Sequence, residues 1–338
     1  MDSLTQIALG AAFGEAVVGH KVGKKGAIWG AVLGTLPDLD IVTRLFLDPV
    51  NTLAAHRSMS HSLLIAIIVA PIIGWGLKRL YQKEKVTRKE WTFMVLLVLV
   101  THILIDLLTI YGTQILWPIS THPFSIDSIF IIDPLYTIPL GSGVILALFR
   151  KPGTRARFRV NAAGLIISTI YLTWGMSVKL FVHGDFKQGL AGIGIRTEEV
   201  MTAPGPLNSL LWMGLAQKQD TLYAGLHSIL DARPPRFFHS IPQNSYLLAG
   251  HRTDRAVERL MWFSKGWYAI DQDSLGLTFA DYRFGRSDGW MDEEGVPIFH
   301  WRLIPDSTGE YVSFEQLPSS FDNVGEGLRR QFQRALGQ

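Results

Sequence analysis

The chain has 338 residues, a net charge of +3, no cysteine and only 18% charged residues, against about 25% in soluble domains. The missing thiol excludes a disulfide scaffold, thiolate zinc sites, iron–sulfur clusters and a cysteine nucleophile. Mean hydropathy is +0.20, and the charge is unevenly divided: residues 1–182 carry 17 basic and 10 acidic side chains, whereas 183–338 carry 15 and 19.

In chain order, the first apolar segments are 4–19, rich in small residues, and 27–36. Gly10 and Gly14, Gly26 and Gly30, and Gly30 and Gly34 recur at a four-residue spacing that lets helices approach closely in lipid. Segments 62–77, 91–111, 134–149 and 160–182 follow, long and nearly free of charge. A span needs roughly 17–25 residues, so 91–111 and 160–182 qualify outright. Lys21, Lys24 and Lys25, then Lys78 to Lys89, then Arg150 to Arg159 supply 14 of the 17 basic residues of this part. They fall in every second loop of a six-segment arrangement, which the positive-inside rule places in the cytoplasm. Both ends of the membrane part, and the domain after it, are then expected outside the cytoplasm.

From 183 onward the charge is dispersed, and Pro and Gly punctuate short runs. Segments 211–216, 221–226, 246–249, 267–270, 275–282 and 298–303 read as strands. Residues 321–336 read as an amphipathic helix with Phe321, Val324, Leu328, Phe332 and Leu336 on one face. The expected architecture is a polytopic α-helical membrane domain of about four to six helices over 1–182. A mainly antiparallel β (α+β) extramembrane domain over 183–338 follows it. Its many aromatic residues suit core packing, with a lid over a membrane site as the alternative, Asn208 and Trp212 lying at the junction. Its scattered basic residues and net negative charge argue against nucleic acid.

The polar residues of the membrane part collect on the side away from the basic loops. Asp38 and Asp40 follow Pro37, and His56, Arg57 and His61 precede the third segment. His102 and Asp106 lie in the fourth, and Asp127 and Asp133 precede the fifth. Charged groups at membrane depth are costly and normally face a cavity or a partner. His102 and Asp106 share a helical face at i, i+4, suited to holding one ion or to a neutral hydrogen-bonded pair. Together Asp38, Asp40, His56, His61, His102 and Asp106 form a nitrogen and oxygen donor set for one or two divalent ions. Zinc is the first expectation, with Mn, Fe or Mg also suited. Glu15 lies deeper, as a supporting group or paired with a lysine or His20. Arg57 could clamp an anionic group such as phosphate or pair with Asp38, Asp40 or Asp48.

These motifs are also familiar as an ordered set. Met1-Asp2-Ser3-Leu4-Thr5-Gln6, Leu36-Pro37-Asp38-Leu39-Asp40, the His56–Arg57 to His61 segment and His102-Ile103-Leu104-Ile105-Asp106 resemble a bacterial inner-membrane family of metal-dependent hydrolases. It is the group that includes a LexA-regulated membrane protein. The run from Asp127 to Tyr136, and Pro204-Gly205-Pro206-Leu207-Asn208, are similar to motifs of its larger members. The family's His/Asp pattern is similar to that of zinc-dependent phospholipase C and related nucleases. Shorter members carry a histidine where this chain has Gln6, which implies a coordination position lost or altered here.

The expected function is therefore a membrane-embedded metal-dependent hydrolase of a lipid or lipid-linked ester or phosphoester at the outer leaflet. Six residues would hold metal, Arg57 would stabilise charge on phosphate, and Asp127 or Asp133 would relay protons. The alternative is a non-enzymatic sensor, scaffold or transporter with a structural ion. Polar residues gathered at one side, rather than along the whole depth, favour a one-sided site over a transport path.

Overall fold

The computed structural model describes residues 1–289, 295–319 and 324–337. The chain divides into two compact units, one of Met1–Thr43 with Ala55–Met176, the other of Arg44–Ala54 with Ser177–Gln338.

The first unit is helical. Helix α1 (Ser3–Gly14) is capped by the Asp2 carboxylate, which accepts from the Thr5 amide, and continues through a π-helical turn (Glu15–Gly19) into α2 (His20–Val22). These twenty consecutive residues measure about 30 Å at 1.5 Å per residue, enough to cross a bilayer core. Helix α3 (Lys24–Thr35) folds back against α1. The glycines set that contact: a Cβ on Gly10 would lie 2.2 Å from the Gly30 carbonyl oxygen, and one on Gly30 would lie 2.0 Å from that of Gly10. No larger residue is accommodated without moving a backbone.

A 3₁₀ helix (Pro37–Leu45), helix α4 (Pro49–Ala55), all but its last residue assigned to the second unit, and a second 3₁₀ turn (Met59–His61) lead to α5 (Leu63–Leu80). Helix α6 (Arg88–Leu107) opens on a capping box between Thr87 and Glu90, which satisfies two otherwise orphaned amides. Helix α7 (Pro134–Leu148) is capped by Asp133, with Pro134 at its first position. Helix α8 (Arg155–Gly192) is shared, ending the first unit at Met176 and opening the second at Ser177. By length and composition α5, α6 and α8 are candidate membrane spans among the described residues, and α7 is a shorter apolar helix. Trp91, Met94, Val95, Val98 and Ile103 of α6 form the heart of one apolar cluster, with Ala66, Ala70 and Leu77 of α5.

The second unit holds two four-stranded antiparallel sheets. The first is β1 (Val200–Pro204), β2 (Leu211–Lys218), β3 (Thr221–Ser228) and β4 (His239–Pro242), in that order. The second is β5 (Tyr268–Asp273), β6 (Gly276–Arg286), β7 (Pro297–Pro305) and β8 (Tyr311–Gln316), with α9 (Arg255–Ser264) preceding it in the chain. Helix α10 (Val324–Ala335) follows. Val178, Val182 and Phe186 of α8 pack with Trp212 of β2. Phe263, Tyr268, Phe279, Trp301 and Phe314 form the aromatic core around the second sheet.

Segments 211–216, 221–226, 267–270, 275–282 and 298–303 thus fall on strands, whereas 246–249 does not. Asn244 adopts φ +51° and starts a 3₁₀ turn (Ser245–Leu248) in its place. Phe321 of the expected helical face lies outside the described residues. Asn208 is buried, its Oδ1 accepting from the Leu210 and Leu211 amides.

Candidate metal centre

The site is built at the end of α6 that points away from its basic start. His102 lies about 21 Å along the helix from Arg88, and Asp106 follows one turn later. Both are buried, at 1% and 0% exposure, as is His61 at 0%. The 3₁₀ helix that begins at Pro37 brings Asp38 to them, and the turn ending at His61 brings the second imidazole.

Four donor atoms converge. The Nε2 atoms of His61 and His102 are 3.1 Å apart. His61 Nε2 is 3.1 Å from Asp106 Oδ2 and 3.6 Å from Asp38 Oδ1. His102 Nε2 is 3.5 Å from Asp38 Oδ1 and 3.6 Å from Asp106 Oδ2. All four atoms lie within 4.8 Å of one another. A tetrahedral nitrogen and oxygen site with bonds of about 2.0–2.2 Å has ligand-to-ligand edges of about 3.3–3.6 Å, which these separations approach.

The surrounding groups orient those donors. His102 Nδ1 lies 2.7 Å from the Gly34 carbonyl oxygen; a proton there leaves Nε2 as a lone pair facing the cluster, the arrangement typical of metal-binding histidines. Asp106 divides its oxygens: Oδ1 takes the Met1 amine, the Gln6 amide at 3.2 Å and the Arg57 guanidinium at 3.3 Å, leaving Oδ2 for the imidazoles. Gln6 is buried, and its Oε1 accepts no hydrogen bond among the described residues. Burial disfavours the charged forms of Asp38 and Asp40, but the neighbouring imidazoles (His102 and His61 for Asp38, His56 and His61 for Asp40) hold both carboxyls well below the usual range. Burial alone would lower the His61 pKa; the carboxylates of Asp106, Asp38 and Asp40 raise it instead. The four residues form a possible metal-binding group, and its nitrogen and oxygen donor set suits a divalent ion.

Of the six residues read as ligands, Asp38, His61, His102 and Asp106 come together, while Asp40 and His56 form a neighbouring pair. Asp40 Oδ1 lies 2.8 Å from His56 Nδ1, and its Oδ2 accepts from Ser60 Oγ at 2.9 Å and from the Arg57 amide at 2.8 Å. Ser60 Oγ is also 2.9 Å from His61 Nδ1, and Asp40 Oδ2 itself lies 3.5 Å from that nitrogen, so Asp40 flanks His61 both directly and through the serine. Arg57 adopts φ +56°, and its side chain is buried between Asp106, Thr109 at 3.0 Å and the Tyr111 ring at 4.9 Å.

Asp133 caps α7 and accepts from the Tyr171 hydroxyl at 2.7 Å, and burial raises its pKa despite those bonds. Asp127 stands at φ +54° in the loop between α6 and α7. Glu15 pairs with Arg157, not with a lysine or His20. Ser60, Thr109, Tyr111 and the Gly34 carbonyl complete the site and carried no signal of their own in the sequence.

Comparison with curated proteins and with solved structures gave no match. The profile of the family described as YdjM inner membrane protein matches residues 1–182, more than half of the chain. With three apolar helices among the described residues long enough to cross a bilayer and that match over residues 1–182, the chain belongs to the YdjM inner membrane protein family.

Proposed function

We propose that this protein is a metal-dependent hydrolase of a lipid or lipid-linked phosphoester, worked from the membrane face opposite the basic loops. On this reading the second unit is extracytoplasmic. The observation that carries it is the convergence of four donor atoms, two imidazole and two carboxylate, with imidazole-to-donor separations of 3.1–3.6 Å and three of the four residues buried.

Asp38, His61, His102 and Asp106 would hold a divalent ion, zinc first among those the donors suit. Such an ion supplies Lewis acidity and makes water a nucleophile near neutral pH. Arg57 has a guanidinium fixed on one side by Asp106 and Thr109, and its Nε donates to no acceptor among the described residues. That donor is available to a phosphoryl oxygen, where charge develops during displacement. His56, oriented by Asp40 through Nδ1 and 24% exposed at its side chain, is better placed than Asp133 to exchange a proton with water. Asp127 stays a second candidate for that role.

The test is elemental analysis of the detergent-purified chain, followed by hydrolysis assays on phospholipids before and after chelation. Bound metal, with turnover that chelation abolishes and zinc or manganese restores, supports the reading. Metal retained without turnover of any phosphoester or ester would favour a structural ion in a sensor or scaffold. Absence of metal from a folded chain would overturn the site itself.

A further inference from the structure

A second polar site lies in the first unit, at the other end of α1. Gln6 touches the metal cluster, whereas Glu15 stands about 14 Å further along the helix. Around Glu15 the helix widens into its π-helical turn (Glu15–Gly19), a distortion often kept where a side chain must be aimed. The Glu15 carboxylate lies directly over Gly19, where a Cβ would come within 2.4 Å of Oε2. Arg157 answers it with two parallel hydrogen bonds, Nε to Oε1 at 2.5 Å and Nη2 to Oε2 at 2.6 Å, and both residues are buried.

Beside this pair is a half-open cavity of about 380 Å³. Glu15, His20, Thr154, Arg155, Arg157 and Asn161 supply its polar lining, and Phe158 its apolar side. Because Glu15 neutralises Arg157, the charge left at the mouth is that of Arg155 together with the N-terminal amides of α8. The floor is of opposite character. Asn161 is 2% exposed and donates its Nδ2 to the Ala12 carbonyl at 2.9 Å. Its Oδ1 is buried and accepts no hydrogen bond among the described residues. A buried acceptor without a donor costs free energy that a suitable ligand or an ordered water recovers.

The cavity therefore offers cationic donors at its mouth and, among its lining residues, one with an unmatched buried acceptor. Phe158, 61% exposed, stands at its edge on a helix that reads as a span. A phosphodiester bearing a hydroxyl on its head, with acyl chains lying along α8, matches all three features. The geometry points to a headgroup site for an anionic glycerophospholipid such as phosphatidylglycerol, from the leaflet beside the basic loops. Its phosphate would lie at Arg155, His20 and the start of α8, and its headgroup hydroxyl would donate to Asn161 Oδ1. Basic pockets between membrane helices commonly hold such lipids. This site stands apart from the metal cluster and does not depend on hydrolase activity.

The experiment is native mass spectrometry of the full chain in detergent, titrated with phosphatidylglycerol and, separately, with phosphatidylcholine. Retention of one phosphatidylglycerol in preference to phosphatidylcholine is expected. R155A should weaken it about fivefold, the contribution of one basic side chain near an anionic group. N161L should weaken it as well, while K83A, in a different basic loop, should leave it unchanged. Should N161L fail to fold, R155A and H20A decide, since both replace exposed side chains. Equal retention of the two lipids, or equal losses in R155A and K83A, would overturn the site. Competition by soluble glycerol 3-phosphate as effective as the lipid itself would overturn the lipid as its occupant.

Discussion

Each unit buries histidine among carboxylates, but the two arrangements differ in what they leave over. In the second unit His227 Nε2 lies 3.0 Å from Asp185 Oδ2, and its Nδ1 lies 3.2 Å from Asp231 Oδ2. Arg334 then takes both oxygens of Asp231, at 2.8 and 2.6 Å. Nε2 is hydrogen-bonded, Nδ1 makes no hydrogen bond among the described residues, and a guanidinium offsets the Asp231 charge. In the first unit the Nε2 atoms of His61 and His102 face each other at 3.1 Å, with Asp38 and Asp106 beside them. Four donor atoms gather there within 4.8 Å of one another, whereas the His227 nitrogens face two separate carboxylates. The contrast is between donors spread around one ring and donors grouped as a metal site would need.

Substitution at the two clusters tests that contrast most severely. Replacing His102 and Asp106 by alanine removes two of four donors and should abolish stoichiometric metal in elemental analysis. Replacing His227 by glutamine should leave metal content unchanged. Metal lost from the His227 variant, or kept by the double variant, would reverse the assignments. The next largest effect belongs to Asp281 and Arg283 of β6. They form a fully buried pair with Nη2 to Oδ2 at 2.6 Å, and the Phe263 and Phe284 rings lie over the guanidinium. Asp281→Ala breaks this buried pair by removing one partner, which costs about 3–5 kcal/mol. Amides of the second sheet should lose hydrogen-exchange protection accordingly, with metal content intact.

How far this contrast could be read from the residues alone depended on whether the partners share an element. His102 and Asp106 were legible because i, i+4 on a helix fixes their common face. Asp38 and Asp40 were legible as candidates but not as separate actors. In a 3₁₀ helix residues two apart diverge by about 120°, so Asp38 turns to the imidazoles while Asp40 turns to His56 and Ser60. The Gly34 carbonyl that orients His102 could not be foreseen, since a backbone acceptor has no residue signature. The glycine spacings of α1 and α3 announced a close approach but not their partners. In the second unit the strands β2, β3, β5 and β6 were legible as short runs between Pro and Gly, whereas their pairing as hairpins is seen only in the structure. Strand β4, four residues long and ending in Pro242, was not, because so short a run carries too little pattern.

The division between Asp38 and Asp40 yields a finer test of the first cluster. Asp40 supports His61 through Ser60 and holds the Arg57 amide without itself joining the four donors. Supporting groups of this kind change metal affinity by about 10–100-fold. Asp40→Asn should therefore weaken metal binding within that range in competition against a chelator, whereas Asp38→Asn should weaken it further. Equal effects of the two variants would place Asp40 among the ligands and make the site larger than four donors.

The smallest effect concerns the His227 cluster and its response to acid. Burial pushes the Asp231 carboxyl up, but Arg334 and the Ser228 amide outweigh it and hold the group below its ordinary value of 3.8. A carboxyl depressed in the folded state contributes stability above its unfolded pKa, and that contribution disappears as pH falls through the folded value. Protection of β3 amides near Ser228 should therefore decline as pH is lowered from about 5 to about 2, the range in which such a carboxyl titrates. Arg334→Leu should cost about 1 kcal/mol near neutral pH, as suits a partly exposed bidentate pair. It should also flatten the acid decline, because the carboxyl then returns toward its ordinary value. Chelation should alter neither curve. An acid decline of unchanged steepness in Arg334→Leu would assign it to other carboxylates and remove the guanidinium from the charge balance of the His227 cluster.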